Sequence, residues 1–241
     1  EHLGGRRPLY MVDLPGFGLS ERSPRKYDVR LFTDAVLAEV ERAASDAGGA
    51  PVQVVALSLS SEFVARAATE RPERFDRLVL ITPTGFSKGS NQLREPGETR
   101  ELPGFAFVFE GRPWSRPLFD LLTKEGSVRY FLRRTYGDRE VDEDMVQYDV
   151  QTARAEGAHH APLAFLSGRL FSKDIRTIYE SLDLPIWVPH GTRGDFKDFS
   201  ESEWAEARGN WQLEPFASGA LVHYQVPEAF FPALDAFLEV T

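Results

Sequence analysis

Apolar and polar positions alternate along this chain in two distinct rhythms. Short apolar runs at Leu9-Tyr10-Met11-Val12-Asp13, Val54-Val55-Ala56-Leu57, Arg77-Leu78-Val79-Leu80-Ile81-Thr82 and Leu184-Pro185-Ile186-Trp187-Val188-Pro189-His190-Gly191 read as strands. Between them, Val29 to Ala47 places Phe32, Val36 and Val40 at helical spacing and stops before Gly48-Gly49. Ser60 to Arg71 reads as a second helix, and Pro227 opens a last amphipathic helix that runs through Leu238. Strands alternating with helices predict an α/β fold with a mostly parallel sheet flanked by helices. From Gly85 to Leu182 the alternation stops and the chain becomes aromatic and charged, which predicts an insertion. Its aromatic residues, Phe105, Phe107, Phe109, Trp114, Phe119, Tyr130, Phe131, Tyr136, Tyr148, Phe165, Phe171 and Tyr179, are expected to be mostly core, with a subset roofing a pocket. Gly97 and Gly104 flank a Pro-Gly-rich stretch suited to a hinge, while Arg133-Arg134 and Asp142-Glu143-Asp144 read as solvated helix faces.

Ser58 stands where one of these strands passes into a helix, in the frame Ala56-Leu57-Ser58-Leu59-Ser60. A sharp strand-to-helix turn pushes a serine oxygen out at the strand's C-terminal edge and frees the next backbone N–H, here that of Leu59, to hold an oxyanion. Ala56 and Ser60 are small, as a tight turn requires. The plainer reading is an N-capping serine at an ordinary helix start.

Upstream, the run at Leu9–Asp13 enters Leu14-Pro15-Gly16-Phe17-Gly18-Leu19-Ser20, a turn made rigid by proline and two glycines. A strand ending in this turn, then a helix, then a strand ending in a serine elbow resembles the α/β-hydrolase superfamily of the serine-nucleophile, cap-domain type. The resemblance implies a core over residues 1–84 and 183–241 and a helical cap over 85–182. It also implies a triad in the order nucleophile, acid, histidine. His223, just before the last helix, then takes the place of the general base; His2, His159, His160 and His190 fit worse. The acid belongs on the loop after Gly191. The family's usual position is Gly194 here, so Asp195 is the choice and Asp198 the reserve, while Pro83-Thr84-Gly85 offers no carboxylate at the alternative position. The family's elbow has glycine where Ala56 and Ser60 stand. The opening Glu1-His2-Leu3-Gly4-Gly5-Arg6-Arg7-Pro8 resembles the end of the family's first helix, so the N-terminal strands and one oxyanion donor are expected to be missing and the chain as it stands to be poorly active.

The expected chemistry is acyl transfer through a covalent acyl-enzyme on an ester-like, apolar small molecule, with no cofactor and no metal. Carboxylesterase is the default, and C–C hydrolase, lactonase and perhydrolase chemistries use the same triad; a haloalkane dehalogenase would carry aspartate at position 58. The alternative is a non-catalytic ligand-binding or interaction protein on a hydrolase scaffold. The adjacent His159 and His160 should not share a face and bring no third ligand, which argues against a metal site. Of 241 residues, 28 are Lys or Arg and 37 Asp or Glu, a net charge of -9 that argues against a nucleic-acid partner. No run approaches the roughly 18 apolar residues of a membrane span. The absence of cysteine excludes disulfides and thiolate chemistry. A cytoplasmic location is the expectation, and the oligomeric state is left open.

Overall fold

Four strands, β1 (Val52–Leu57), β2 (Phe75–Ile81), β3 (Ile186–Gly191) and β4 (Trp211–Phe216), lie side by side in chain order, every pair parallel. The structure is a computed structural model that describes residues 7–88, 97–102, 104, 105, 107 and 112–239. Parallel neighbours require crossovers, and helices provide them. Helix α1 (Val29–Asp46) precedes the sheet and α2 (Ser60–Glu70) links β1 to β2. Between β2 and β3 lie α3 (Ser115–Leu122), α4 (Glu125–Tyr136), α5 (Glu143–Thr152), α6 (His160–Leu166) and α7 (Ile175–Glu180). The short α8 (Glu203–Glu206) precedes β4, and α9 (Val222–Gln225) and α10 (Pro227–Glu239) follow it.

The central strands are apolar on both sides because both faces are covered. Along β2 and β3 the period-2 alternation sends Leu78, Leu80, Ile186 and Val188 into a core with Phe32 of α1 and Phe63 of α2. Val79, Ile81 and Trp187 face the opposite way, against Phe230, Leu234 and Leu238 of α10. The expected spacing in α1 is confirmed, with Phe32, Val36 and Val40 buried and Asp28 accepting from the Leu31 N–H at 3.0 Å as N-cap.

Three expectations change. Residues Leu9–Asp13 form no strand, and Met11 is 88% exposed. A strand exists only through a ladder partner, and no described segment pairs with this one; β1 is itself the sheet edge, with Val55 46% exposed. Strand β4 was not anticipated, since Glu214 and Pro215 interrupt its apolar pattern; as the opposite edge it tolerates both. The aromatics of the insertion are mostly exposed: Phe119, Tyr136 and Tyr179 are buried, whereas Phe105, Phe107, Trp114, Tyr130, Phe131, Tyr148 and Phe165 are not. Several helices pack there without a sheet to cover them, so one side of each faces water. Phe109 lies outside the described residues.

Helix α2 is also a polar anchor. Glu62, fully buried, accepts from the Thr84 hydroxyl at 2.5 Å and from the Ser172 N–H at 2.8 Å. One turn on, Arg66 pairs with the fully buried Asp174, whose other oxygen accepts from the Gly97 N–H at 3.0 Å. Gly97 is thereby tied to the buried Asp174. Both side chains of α2 thus grip the segment leading into α7.

Burial drives the Glu62 carboxyl above the ordinary glutamate value of 4.5, against the pull of its hydrogen bonds. A raised folded-state value means the native protein binds the extra proton, so stability falls as pH rises through that interval. Glu62→Gln can accept from Ser172 and donate to Thr84. It should therefore raise Tm at neutral pH, with the gain shrinking as pH falls toward 4.5; thermal denaturation across pH reads this directly, and a pH-independent difference would contradict it.

Candidate active site

Ser58 follows β1 in the left-handed region, at φ 53°. An L-residue there costs on the order of 1–2 kcal/mol, so the surroundings must hold it. Its N–H donates to the Ile81 carbonyl at 2.8 Å, extending the β1–β2 ladder by one bond into the turn. Behind it the Ser60 hydroxyl accepts from the Leu57 N–H at 3.0 Å and donates to the Leu57 carbonyl at 2.7 Å. Ser60 is thus consumed by the turn it stabilises. The Ser58 hydroxyl is half-buried and has no hydrogen-bond partner among the described residues, and the Leu59 N–H is likewise unclaimed at the start of α2. An N-cap would have its oxygen bonded to an N–H of the first helical turn, and Ser58 does not.

His223 lies in α9, beyond the C-terminal end of β4. Its ring meets Phe230 edge-on at 6.0 Å, and its Nδ1 is buried without a partner. Burial holds the imidazole below the ordinary histidine value of 6.5. The loop that bears it is tied to the end of β2, because the Thr82 hydroxyl donates to the Ala220 carbonyl at 2.9 Å. Since Ser58 is bonded to Ile81 and Thr82 to Ala220, the elbow and the histidine loop share one rim of the sheet, with no direct bond between Ser58 and His223.

The expected carboxylate contacts are not formed. Asp195 is turned outward onto the Arg134 guanidinium, and its N–H donates to the Arg134 carbonyl at 3.0 Å. Asp198 accepts from the Lys88 N–H at 3.0 Å and the Ser200 N–H at 3.1 Å. Neither bonds to His223. The Asp195 loop is nevertheless near, because the carbonyl next to that of Arg134, on Thr135, accepts from the Ala220 N–H at 3.0 Å. Arg134 lies on an exposed helix face, as expected, and from there it holds Asp195 outward. Asp142 caps α5 and accepts from the hydroxyl of Tyr224, next to His223, at 2.8 Å.

Thr82 escaped sequence reasoning. It sits at φ 45°, unusual for a β-branched residue, and no feature of the sequence around Pro83 signals it. Buried nearly completely, it is the connection between the two halves of the rim. A cavity of about 320 Å³ opens nearby, between the Gly16–Gly18 turn and α3, α4 and α5, lined by Phe17, Phe119, Leu122, Phe131, Thr135 and Asp149 among others. Neither Ser58 nor His223 lines it; Thr135 links it to the histidine loop. The turn needs its glycines: a Cβ on Gly18 would meet the Asp13 carboxylate at 2.1 Å, and one on Gly16 would meet Ala161 at 2.4 Å. Among the described residues no group of three or more His, Cys, Asp or Glu could hold a metal ion, and no helix is long and apolar enough to cross a membrane.

The sequence matches the alpha/beta hydrolase family over residues 1–233, and the chain belongs to that family. No curated protein matches it. Among solved structures it is similar to a 2-hydroxy-6-oxo-6-phenylhexa-2,4-dienoate hydrolase from Rhodococcus sp. strain RHA1, at TM-score 0.69 and 18% identity over 95% of this chain and 78% of that one. An esterase from Exiguobacterium antarcticum aligns at TM-score 0.63 and 15% identity over 95% of this chain and 80% of the other. A bromoperoxidase from Bacillus anthracis gives TM-score 0.65 and 18% identity over the same two shares, 95% and 80%. These likenesses establish the α/β-hydrolase fold.

Thr82→Val keeps the branched shape but removes the hydroxyl, leaving the Ala220 carbonyl without its donor. The expected loss is about 1–3 kcal/mol of stability, read by urea denaturation, whereas Thr82→Ser should recover most of it.

Proposed function

We propose that this protein is a serine hydrolase that opens ester-like bonds of apolar small molecules through an acyl-enzyme. The observation that carries the reading is Ser58, held in a left-handed turn with its hydroxyl unbonded and the Leu59 N–H unclaimed beside it. Strain is retained where surroundings over-determine it, and an N-capping role would require neither feature.

In this reading His223 removes the Ser58 proton as the oxygen attacks the substrate carbonyl, and the Leu59 N–H steadies the oxyanion. The imidazolium then gives its proton to the leaving alcohol or other leaving group. Water, deprotonated by the same ring, releases the acid and restores Ser58. Asp195 orients the imidazole after exchanging Arg134 for His223, with Asp198 in reserve. The helices between β2 and β3 act as a cap, and the largely apolar cavity beneath them accommodates the acyl or ring-bearing part. A phenyl-bearing oxo-dienoate, which figures in one similar structure's name, is a substrate of this general shape.

A second reading, a binding protein on the same scaffold, draws on the partnerless Nδ1 of His223. A fluorophosphonate probe separates the two. Labelling that is abolished in Ser58→Ala and reduced in His223→Ala supports the hydrolase, and labelling indifferent to Ser58 refutes it. Because burial lowers the His223 value, the base stays unprotonated to lower pH than an ordinary histidine. With Asp195 held on Arg134, the acidic limb of kcat/KM for an aryl ester should therefore have its midpoint below 6.5; a midpoint at or above that value would mean that a carboxylate already meets the protonated ring in the free enzyme.

A further inference from the structure

A second cavity, of about 530 Å³, lies apart from Ser58 and His223, between the Pro24–Tyr27 segment and the starts of α3 and α6. Among the described residues its lining holds Arg25, Lys26, Arg112 and Arg169 together with His159 and His160, and no aspartate or glutamate. On a chain of net charge -9 such a concentration of cations is against the average. Three of them are balanced from outside the cavity: Arg25 by Glu21 at 2.5 Å, Lys26 by Asp28 at 3.0 Å and Arg169 by Glu101 at 2.6 Å. Arg112 is different. Its guanidinium lies over the Phe107 ring at 3.8 Å and its Nε donates to the Phe107 carbonyl at 3.3 Å, and no described carboxylate pairs with it.

The two histidines correct the sequence expectation, because their rings do meet, with centroids 4.0 Å apart at 37°. His159 caps α6 and His160 begins it, so the contact is made by the side chains across one helical step. His160 also stacks on Tyr27 at 6.5 Å, while His159 meets Phe119 at 6.4 Å and has a buried Nδ1 without a partner. Arg116 and Asp120 of α3 are the charged side chains acting on His159, and they act in opposite directions.

We propose that this cavity is a binding site for a phosphate group, held by the Arg112 guanidinium and the paired imidazoles of His159 and His160. A guanidinium fork and two imidazole donors match an anion with three or more acceptor oxygens. A phosphate spreads its charge and acceptors over more oxygens than a carboxylate's two, and its charge complements the guanidinium as a neutral ligand's does not. Burial, together with the neighbouring ring for His159, holds both imidazoles below their ordinary value of 6.5, so in the empty cavity they are mostly neutral near pH 7. A bound dianion reverses that pressure, which couples its binding to proton uptake. The ligand would touch the Pro24–Tyr27 segment, Arg112 and α6 together, fastening the insertion to the turn beside the first cavity.

The test uses the full chain and two probes, inorganic phosphate and phenyl phosphate, followed by NMR of the histidine ring protons and by calorimetry. Expected is saturable one-to-one binding that raises the titration midpoints of His159 and His160. Arg112→Gln and His159→Gln should each weaken it about tenfold, a loss of about 1.4 kcal/mol, while circular dichroism shows them folded. Tighter binding of phenyl phosphate would identify an organic monoester as the source, and equal binding the free ion. Failure to saturate, or equal affinity in the wild type and both variants, overturns the proposal. Fluorophosphonate labelling of Ser58 is a separate readout, so neither result decides the other.

Discussion

The strained turn at Ser58 constrains everything near it. A non-glycine residue at positive φ survives only if the neighbouring chain leaves it no cheaper arrangement. Here the Ile81 carbonyl holds its N–H, the Ser60 hydroxyl locks Leu57, and α2 is fixed by the buried Glu62 and by Arg66 on Asp174. The turn therefore depends on contacts more than 100 residues away, at Ser172 and Asp174. Removing one partner of such a buried pair is far more damaging than the pair is stabilising, because a charge is then left uncompensated. The insertion is bound into the scaffold that holds the Ser58 turn rather than appended to it.

Local order made much of this legible in the sequence. The spacing of Phe32, Val36 and Val40, the small-residue frame around Ser58 and the proline that opens the last helix are near-neighbour signals, and each is realised in the fold. The small residues prove to have distinct tasks, since Ala56 is simply buried whereas Ser60 clamps the turn through its hydroxyl. What could not be read depends on distant partners. Asp195 meets Arg134 from 61 positions away, and Thr82 reaches Ala220 across 138. Strand Trp211–Phe216 violates apolar alternation because an edge strand needs only part of it, and the segment at Leu9–Asp13 satisfies the pattern yet finds no ladder. Pattern indicates what a segment prefers, but pairing decides what it becomes.

The two cavities divide the charge of this acidic protein in a consistent way. The first is walled largely by carbon and sits against the histidine loop through Thr135; the second has Arg25, Lys26, Arg112 and Arg169 in its lining and sits against the Pro24–Tyr27 segment. Both are bounded by the same two bodies, the chain that follows Asp13 and the helices between β2 and β3. Any ligand in either one must act on the same contact, which gives the proposed phosphate site a physical route to the proposed substrate site without a change in the sheet.

Asp195 stands between two partners, the exposed Arg134 that holds it and the buried His223 ring. An ion pair between exposed side chains contributes little in water, since both partners hydrate well when apart. A buried imidazole nitrogen without a partner costs about 1–3 kcal/mol. The His223 ring has such a nitrogen, and the Asp195 loop is moored to the carbonyl adjoining the one that holds Ala220. Exchange of Arg134 for His223 would give that nitrogen a partner but take the carboxylate out of water, so it becomes favourable only once the ring takes a proton from Ser58. On the proposed mechanism the carboxylate is then needed at the moment charge develops on the imidazole, not before, and the outward pairing with Arg134 is a resting arrangement.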